Sequence, residues 1–527
     1  MQRRQFLTAA AALAGMPLAR PALAQGKGSA RVLRFVPQAD LANPDPVWTT
    51  TTVAYNHGFM IWDTPYGLDG TYTPRPQMMA GHELSDDKMV WRFTLREGLL
   101  FHDGEKVRAA DVLASIARWG KRRPFGQLLL ERTEEMRALD DARLEIRLKK
   151  PFPLMLNALA DYCFIMPERI AKTDAFKQIN EYVGSGPFRF LRDEWMPGSR
   201  AAYARNERYV PRDEPADHLA GGKVVHFDRV EWMVMPDPAT AGAALQAGEV
   251  DWVESPLPDL LEVFRKGSNT RVLVNDKIGS IAFMAINHLH PPFNNPKLLR
   301  ALLPAIDQKE FMQAAFADEP DLYRTGVGVF TAGMPMANDA GMEALDGPRD
   351  IAAAKKLIAE SGYAGERIVL MSPTDQPTLQ SFGQVMNATL QRLGLNVDYA
   401  ATDWGTLVQR RSSHEPVEKG GWSTFCSSYT GLSVMDPVVN QPLRGTGLKG
   451  WFGWPTDPEM ESLRDAWLDA PDQDTRVKIA RQMQVEAFRT VPFIPLGQYF
   501  QATAVSAKLT GFVEWPTPLF WGVRKTA

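Results

Sequence analysis

The sequence predicts an α/β protein of more than one domain, and three observations carry that prediction. Short stretches in the first third of the chain alternate apolar and polar residues with the period of a strand. Residues 287–490 alternate helical and strand patterns instead, the texture of βα units on a mostly parallel sheet. The chain is also 527 residues long, beyond the size at which one hydrophobic core usually stops growing.

The elements follow in order. Val90 to Leu95 places Trp91, Phe93 and Leu95 on one face, and Arg143 to Leu148 repeats the alternation with polar residues opposite. Together they suggest an antiparallel sheet with one wet side. Between them, residues 101–120 begin with turn chemistry at His102-Asp103-Gly104. A helix follows in which Val112, Ile116 and Trp119 share a face, and Asp111 suits the positive end of its dipole. Asn295-Pro296 starts a helix striped by Leu299, Leu302, Leu303 and Ile306, with Pro304 expected to kink it. Asp307 and Glu310 have capping-box spacing for a restart. A helix through Ile351 to Ile358 closes at Gly362, and a strand runs from Arg367 to Met371. A long helix then ends before Gly394, and a strand covers Leu395 to Tyr399.

The first residues read MQRRQFLTAAAALAGMPLARPALAQG. Arg3 and Arg4 precede a short Ala-rich apolar stretch, and Ala22-Leu23-Ala24 fits a cleavage site, so residues 1–24 are expected to be an export signal. The paired arginines before Gln5-Phe6-Leu7 favour the twin-arginine route, with an ordinary secretory signal as the alternative. Removing this segment takes away Arg3, Arg4 and Arg20 and no acid, which lowers the formal charge from −3 to −6. That balance argues against nucleic-acid binding. No later stretch reaches the ~18 uninterrupted apolar residues of a membrane span. Cys163 and Cys426, far apart and without a framework, read as buried thiols.

Motifs for catalysis are missing. The sequence has no G-x-x-x-x-G-K-[ST] phosphate loop and no G-x-G-x-x-G after a strand. His82-Glu83 lacks the second histidine of a zinc helix, and Gly421-Trp422-Ser423-Thr424-Phe425 lacks the closing glycine of a nucleophile elbow. His288 and His290 are the one close histidine pair. The chain is therefore read as a binding protein rather than an enzyme, with no metal and no cofactor. Its chemistry lies in aromatic density: Trp404, Trp422, Phe425, Tyr429, Trp451, Phe452 and Trp454 fall within about fifty residues. The stretch GGWSTFCSSYTGLS reads as a binding loop, with Ser427, Ser428 and Thr430 offering hydroxyls between aromatic walls. Core packing is the competing explanation for each ring.

Six segments in order resemble one family: FHDGEKVRAADVLASIARW, VGSGPFRF, LQAGEVDWVE, INHLHPPFNNPKLLRALLPAID, AAKKLIAESGY and LQRLGLNVDY. They are similar to the family 5 extracellular solute-binding proteins of ABC importers, which include dipeptide-, oligopeptide- and nickel-binding proteins. The resemblance implies a two-lobed periplasmic-binding-protein fold, of the large type II variety, closing on a central cleft. By analogy lobe 1 comprises 25–65, 190–285 and 491–527, with a smaller inserted domain at 66–189, and lobe 2 covers 286–490. It further implies a monomer in the periplasm, a small-molecule solute, and the importer's permease subunits as partner.

One departure bears on the ligand. Peptide-binding members carry an Asp shortly after a Trp in the late loop, where it pairs with the peptide α-ammonium. Trp422 matches that Trp, Phe425 stands in place of the Asp, and Asp436-Pro437 matches the acidic-Pro that ends the loop. A buried ammonium without a counter-charge is costly, so a non-peptide solute is expected, neutral, aromatic or anionic. A dipeptide- or oligopeptide-binding protein is the alternative; a carrier of a metal chelate or tetrapyrrole and a secreted hydrolase are further rivals. Trp404 sits where the family places another cleft Trp, and the run Tyr55-Asn56-His57-Gly58, with Asn56 and His57 foremost, could line the opposite wall.

Overall fold

The computed structural model describes residues 31–49, 51–317, 319–347 and 349–526. The expected export segment lies outside these residues.

Three sheets organise the chain. The first has seven strands in the order Thr270–Leu273, Thr503–Ser506, Trp252–Val253, Val32–Val36, Arg229–Met233, Arg200–Arg205 and Phe188–Phe190. Its central strand, Val32–Val36, runs parallel to both neighbours. Strands from three separated stretches of chain thus share one sheet, and Phe35 packs at its centre against Trp232, Trp252 and Phe520.

A four-stranded antiparallel sheet, Met79–Leu84, Val90–Leu95, Arg143–Leu148 and Thr133–Ala138, stands apart from it in residues 66–189. Phe93, Leu144 and Ile146 are buried on its inner face. Glu145 is buried as well, because Arg92 and Arg137 fold over it from neighbouring strands. The helix Ala109–Trp119 buries Val112, Ile116 and Trp119 as its period predicts. Asp111 accepts hydrogen bonds from the backbone N–H groups of Arg108 and Glu168, joining two segments at the helix start. Arg118, near the helix end, pairs with Asp45 in a fully buried contact of 2.6 Å.

The third sheet is mixed rather than mostly parallel. Its order is Tyr323–Arg324, Phe493–Tyr499, Ser280–Ile286, Thr424–Thr430, Ile368–Pro373 and Val397–Thr402. Only the pairings of Ile368–Pro373 with its two neighbours are parallel. The reason is connectivity. Ser280–Ile286 brings the chain into this sheet and Phe493–Tyr499 takes it out, so the two run in opposite directions side by side. This pairing also moves two boundaries. Both strands belong to the third sheet, so the chain passes between the first and third sheets near 274–279 and 500–502, where the resemblance places the bounds at 285/286 and 490/491.

The helices of this lobe start and stop largely as their residues direct. Asn295 caps Pro296–Leu302 by accepting from the Lys297 N–H, and Pro304 sits in a 3-10 turn at Leu303–Ala305. Asp307 caps the restart Gln308–Phe316, but Glu310 turns outward to Arg349 and Arg392, leaving the capping box incomplete. Ile351–Glu360 and Pro377–Arg392 end before Gly362 and Gly394, both at positive φ.

Candidate functional site: an aromatic cleft with one unpaired guanidinium

The stretch expected to be a loop is a strand. Thr424–Thr430 pairs residue for residue with Ser280–Ile286 and runs parallel to Ile368–Pro373 on its other side. Thr, Phe, Cys and Tyr fit a pleated, half-buried surface, and these outweigh the interspersed serines. Alternation then sorts the side chains. Cys426 enters the core behind the sheet, and Ser428 bonds the Tyr499 hydroxyl at 2.8 Å. Phe425, Ser427 and Tyr429 share the other face.

That face is aromatic. Tyr429 stacks on Phe283 with ring centroids 5.4 Å apart and planes 8° from parallel. Trp451 closes on Phe283, Phe425 and Tyr429. Trp422 meets Phe425 edge-on at 5.1 Å, and its indole N–H is buried without a hydrogen-bond partner. The loop carrying Trp451, Phe452 and Trp454 can press on the sheet because of Gly453, at φ 111°. A Cβ there would lie 2.3 Å from the Ile286 carbonyl oxygen.

Trp404 opens the helix Trp404–Arg410, its N–H donated to Asp375. It joins the cluster through Arg411, whose guanidinium lies 4.5 Å from the Phe452 ring centroid and 5.9 Å from that of Trp404. Among the described residues the Arg411 Nε has no hydrogen-bond partner. Burial holds the Arg411 pKa below the usual guanidinium value, opposed by the nearby Tyr429 hydroxyl. Burial likewise pushes the Tyr429 hydroxyl up; Arg411 opposes this, and Tyr55 from the other lobe adds to it.

Tyr55 therefore marks the facing wall. Its ring packs against that of Tyr162, centroids 4.4 Å apart and planes tilted by 36°, and Arg123 lies over both rings. Arg123 is fully engaged: it grips Asp161 through two nitrogens, at 2.6 and 3.1 Å, and donates to the Tyr55 hydroxyl at 2.9 Å. Tyr162 holds a left-handed backbone at φ 51°, a strained state for a bulky residue and one that recurs at binding sites.

The structure brings Trp422, Phe425, Ser427 and Tyr429 together, with Trp404 at the edge. It does not bring Asn56 and His57 to them. His57 is fully buried in the lobe 1 core, with Nδ1 2.9 Å from the Tyr203 hydroxyl and edge-on contacts to Trp62 and Phe190. Burial pushes its pKa down to about 3. Asn56 is buried too and donates to Glu254. Tyr55, one residue before Asn56, lies near enough to Tyr429 to bear on it electrostatically. Sequence reasoning missed Arg123, Asp161, Tyr162 and Arg411. Cys163 and Cys426 are buried free thiols. Among the described residues no helix is long and apolar enough to cross a membrane.

Comparison with known proteins identifies the family. The family model described as "Bacterial extracellular solute-binding proteins, family 5 Middle" matches residues 73–443. The "Probable peptide ABC transporter periplasmic-binding protein y4tO" of Sinorhizobium fredii is 37% identical over 99% of both chains. The glutathione-binding protein GsiB of Pectobacterium atrosepticum is 26% identical over 86% of both. Among solved structures, AgaA of A. tumefaciens R10 in complex with agropinic acid superposes with a TM-score of 0.79 at 21% identity, over 94% of this chain and 99% of that one. The chain belongs to the bacterial extracellular solute-binding proteins of family 5, the periplasmic substrate-binding components of ABC importers.

Proposed function

We propose that the protein captures a small non-peptide solute between its two lobes and delivers it to the importer's permease, without catalysing a reaction. The observation that carries this reading is Phe425. By the resemblance it stands where peptide-binding members place the Asp for an α-ammonium, and it is buried against Trp422 and Trp451. No carboxylate can enter there without breaking an aromatic wall. The wall supplies apolar area and π-faces, and Ser427 on the same face supplies a hydroxyl, the usual division of labour in a small-molecule pocket. Trp404, Trp422, Phe425, Ser427 and Tyr429 form the lobe 2 side of the site in this reading. Ligand contact with both lobes shifts the population toward the closed form that the permease recognises. The mature protein begins at Gln25 after export, by the twin-arginine route, and acts as a monomer.

Peptide capture is the second reading, favoured by the name given to y4tO and by that of GsiB, since glutathione is itself a tripeptide; the agropinic acid held by AgaA shows that a protein of similar fold takes another kind of solute. Thermal unfolding of residues 25–527 separates the two. One sample receives a pool of di- to hexapeptides, the other a pool of aromatic and aliphatic acids. At a hundred times its dissociation constant a ligand adds about 2.7 kcal/mol, which raises the midpoint by roughly one to a few degrees. A rise with the acids alone is expected, and a rise with peptides alone overturns the proposal.

A further inference from the structure

We propose that Arg411 is the solute's anion-holding residue, so that the ligand carries a carboxylate lodged between Trp404, Phe452 and Tyr429. This rests on the reading of the aromatic face as the ligand site and names the chemistry the solute brings to it.

The argument begins with how the nearby arginines are used. Arg410 donates from Nε to the Gly420 carbonyl and from Nη2 to the Gly421 carbonyl, and so fixes the turn before Trp422. Arg123, across the cleft, is saturated by Asp161 and Tyr55. Arg411 alone of the three forms no side-chain hydrogen bond or ion pair among the described residues. Its Nε is buried without a partner, and the rings of Phe452 and Trp404 lie 4.5 and 5.9 Å from the guanidinium carbon. Enclosing a guanidinium without a counter-charge is unfavourable, and contact with π-faces recovers only part of the cost. Such a group is retained where function needs it, as an unmet charge that an incoming ligand satisfies.

The geometry also limits what can satisfy it. A guanidinium presents a planar fork of donors that matches a carboxylate with two parallel bonds. The rings of Trp404 and Phe452 lie 5.9 and 4.5 Å from the Arg411 guanidinium carbon, and the Tyr429 hydroxyl is near enough to bear on it electrostatically. The Tyr429 ring, stacked on Phe283, then offers an apolar platform beside the carboxylate. A solute with an acid group next to a flat or apolar body fits both parts at once. The anion also has competition on the facing wall, because Asp161 lies there, but Arg123 neutralises that carboxylate.

The test uses residues 25–527 and the variant Arg411→Met, whose thioether keeps an apolar filling between Trp404 and Phe452. Thermal midpoints are measured in Tris buffer free of carboxylate, sulfonate and phosphate. The additions are benzoate, phenylacetate and indole-3-acetate, then their primary amides, then the peptide pool. The carboxylates are expected to raise the wild-type midpoint by one to a few degrees while the amides leave it unchanged. The variant is expected to lose that response, and to melt above the wild type when nothing is added. Amides that match the acids, or a variant that still responds to acids, overturn the anion site and leave the non-peptide reading intact. Peptides that shift the wild type but not the variant overturn the non-peptide reading and support Arg411 as the carboxylate holder. Peptides that shift both proteins alike overturn both. Where no addition moves either protein, the unliganded melts decide: a variant less stable than the wild type shows a structural arginine and overturns the proposal, and a more stable one supports it.

Discussion

Arg132 and Asp469 join the two lobes through an ion pair of 2.8 Å in which Arg132 is 4% exposed and Asp469 54%. Arg132 ends the helix Pro124–Arg132 in the inserted region, and Asp469 ends the helix Pro458–Asp469 in the second lobe. A carboxylate at a helix C-terminus faces the negative end of the dipole, so its placement is unfavourable by itself. Arg132, with Lys150 at 3.5 Å, offsets that cost only while the lobes are together. Opening separates Asp469 from both cations. Asp469→Asn is therefore expected to move the unliganded protein toward the open form by about two- to fivefold, the equivalent of ~0.5–1 kcal/mol for a pair with one exposed partner. The radius of gyration from X-ray scattering should rise in the variant, and in the wild type at high salt. A radius unchanged by both treatments removes this pair as a brace of the closed form.

Phe425 is as much a core residue as a wall of the site. It is 0% exposed and touches Trp422 and Trp451. Phe425→Ala should cost about 3–5 kcal/mol, because the surrounding rings sit on a sheet that cannot collapse onto the gap. Urea denaturation at an unchanged slope is the measurement. A loss below about 1 kcal/mol would place Phe425 in an adaptable pocket instead.

Lys223 and Asp63 form an ion pair of 2.6 Å with both side chains 0% exposed. Tyr209 donates to the second Asp63 oxygen, and Trp521 lies 4.9 Å from the ammonium, so this pair ties the C-terminal tail to the end of the Thr52–Ile61 helix. Lys223→Met leaves a buried carboxylate unpaired and should cost about 3–5 kcal/mol. The double variant Lys223→Met/Asp63→Asn should recover most of that loss in the same denaturation assay. A double variant no better than the single assigns the cost to lost packing against Trp521 rather than to charge.

The helices are legible in the sequence because each carries its own instructions. Asn295, Asp307, Gly362 and Gly394 are local signals, and the structure uses all four at helix ends. The sheet direction is not legible, since it depends on Ser280–Ile286 and Phe493–Tyr499, separated by two hundred residues, lying side by side. Thr424–Thr430 reads as a loop for a related reason: its strand character comes from pairing on both sides, not from its serines. In the site, the aromatic residues are visible as a cluster because they are close in sequence. The facing wall is legible only in the run that contains Tyr55; Arg123 and Tyr162 are hidden, because only the fold brings them to it. His57 looks like a wall residue because it neighbours Tyr55, but on a helix successive side chains point about 100° apart.

Glu254 gives the protein an unusual pH dependence. Its carboxylate accepts from the Gln38 N–H at 2.7 Å and from Asn56 Nδ2 at 3.0 Å. Burial outweighs both bonds and pushes the pKa up from 4.5 to about 7. The folded state therefore keeps a proton between about pH 4.5 and 7 that the unfolded chain releases, so this group's contribution to stability falls as pH rises through that window. The buried histidines act in the opposite sense. His57 is pushed down to about 3 and His288 to about 4, so the unfolded chain takes up protons first and stability is lost as pH falls below 6.5. Glu254→Gln isolates the first effect. The new carboxamide can donate to Asn56 Oδ1, which is buried and has no partner, once the Asn56 amide turns over. The variant should gain on the wild type by roughly 2–3 kcal/mol between pH 5 and pH 8, since each tenfold difference in proton affinity between the folded and unfolded chain is worth about 1.4 kcal/mol. Urea midpoints at pH 5, 6.5 and 8 measure it; a wild-type-to-variant difference that stays constant across the three means that Glu254 is ionised in the folded protein throughout, with a cation or water reaching it that its two hydrogen bonds do not reveal.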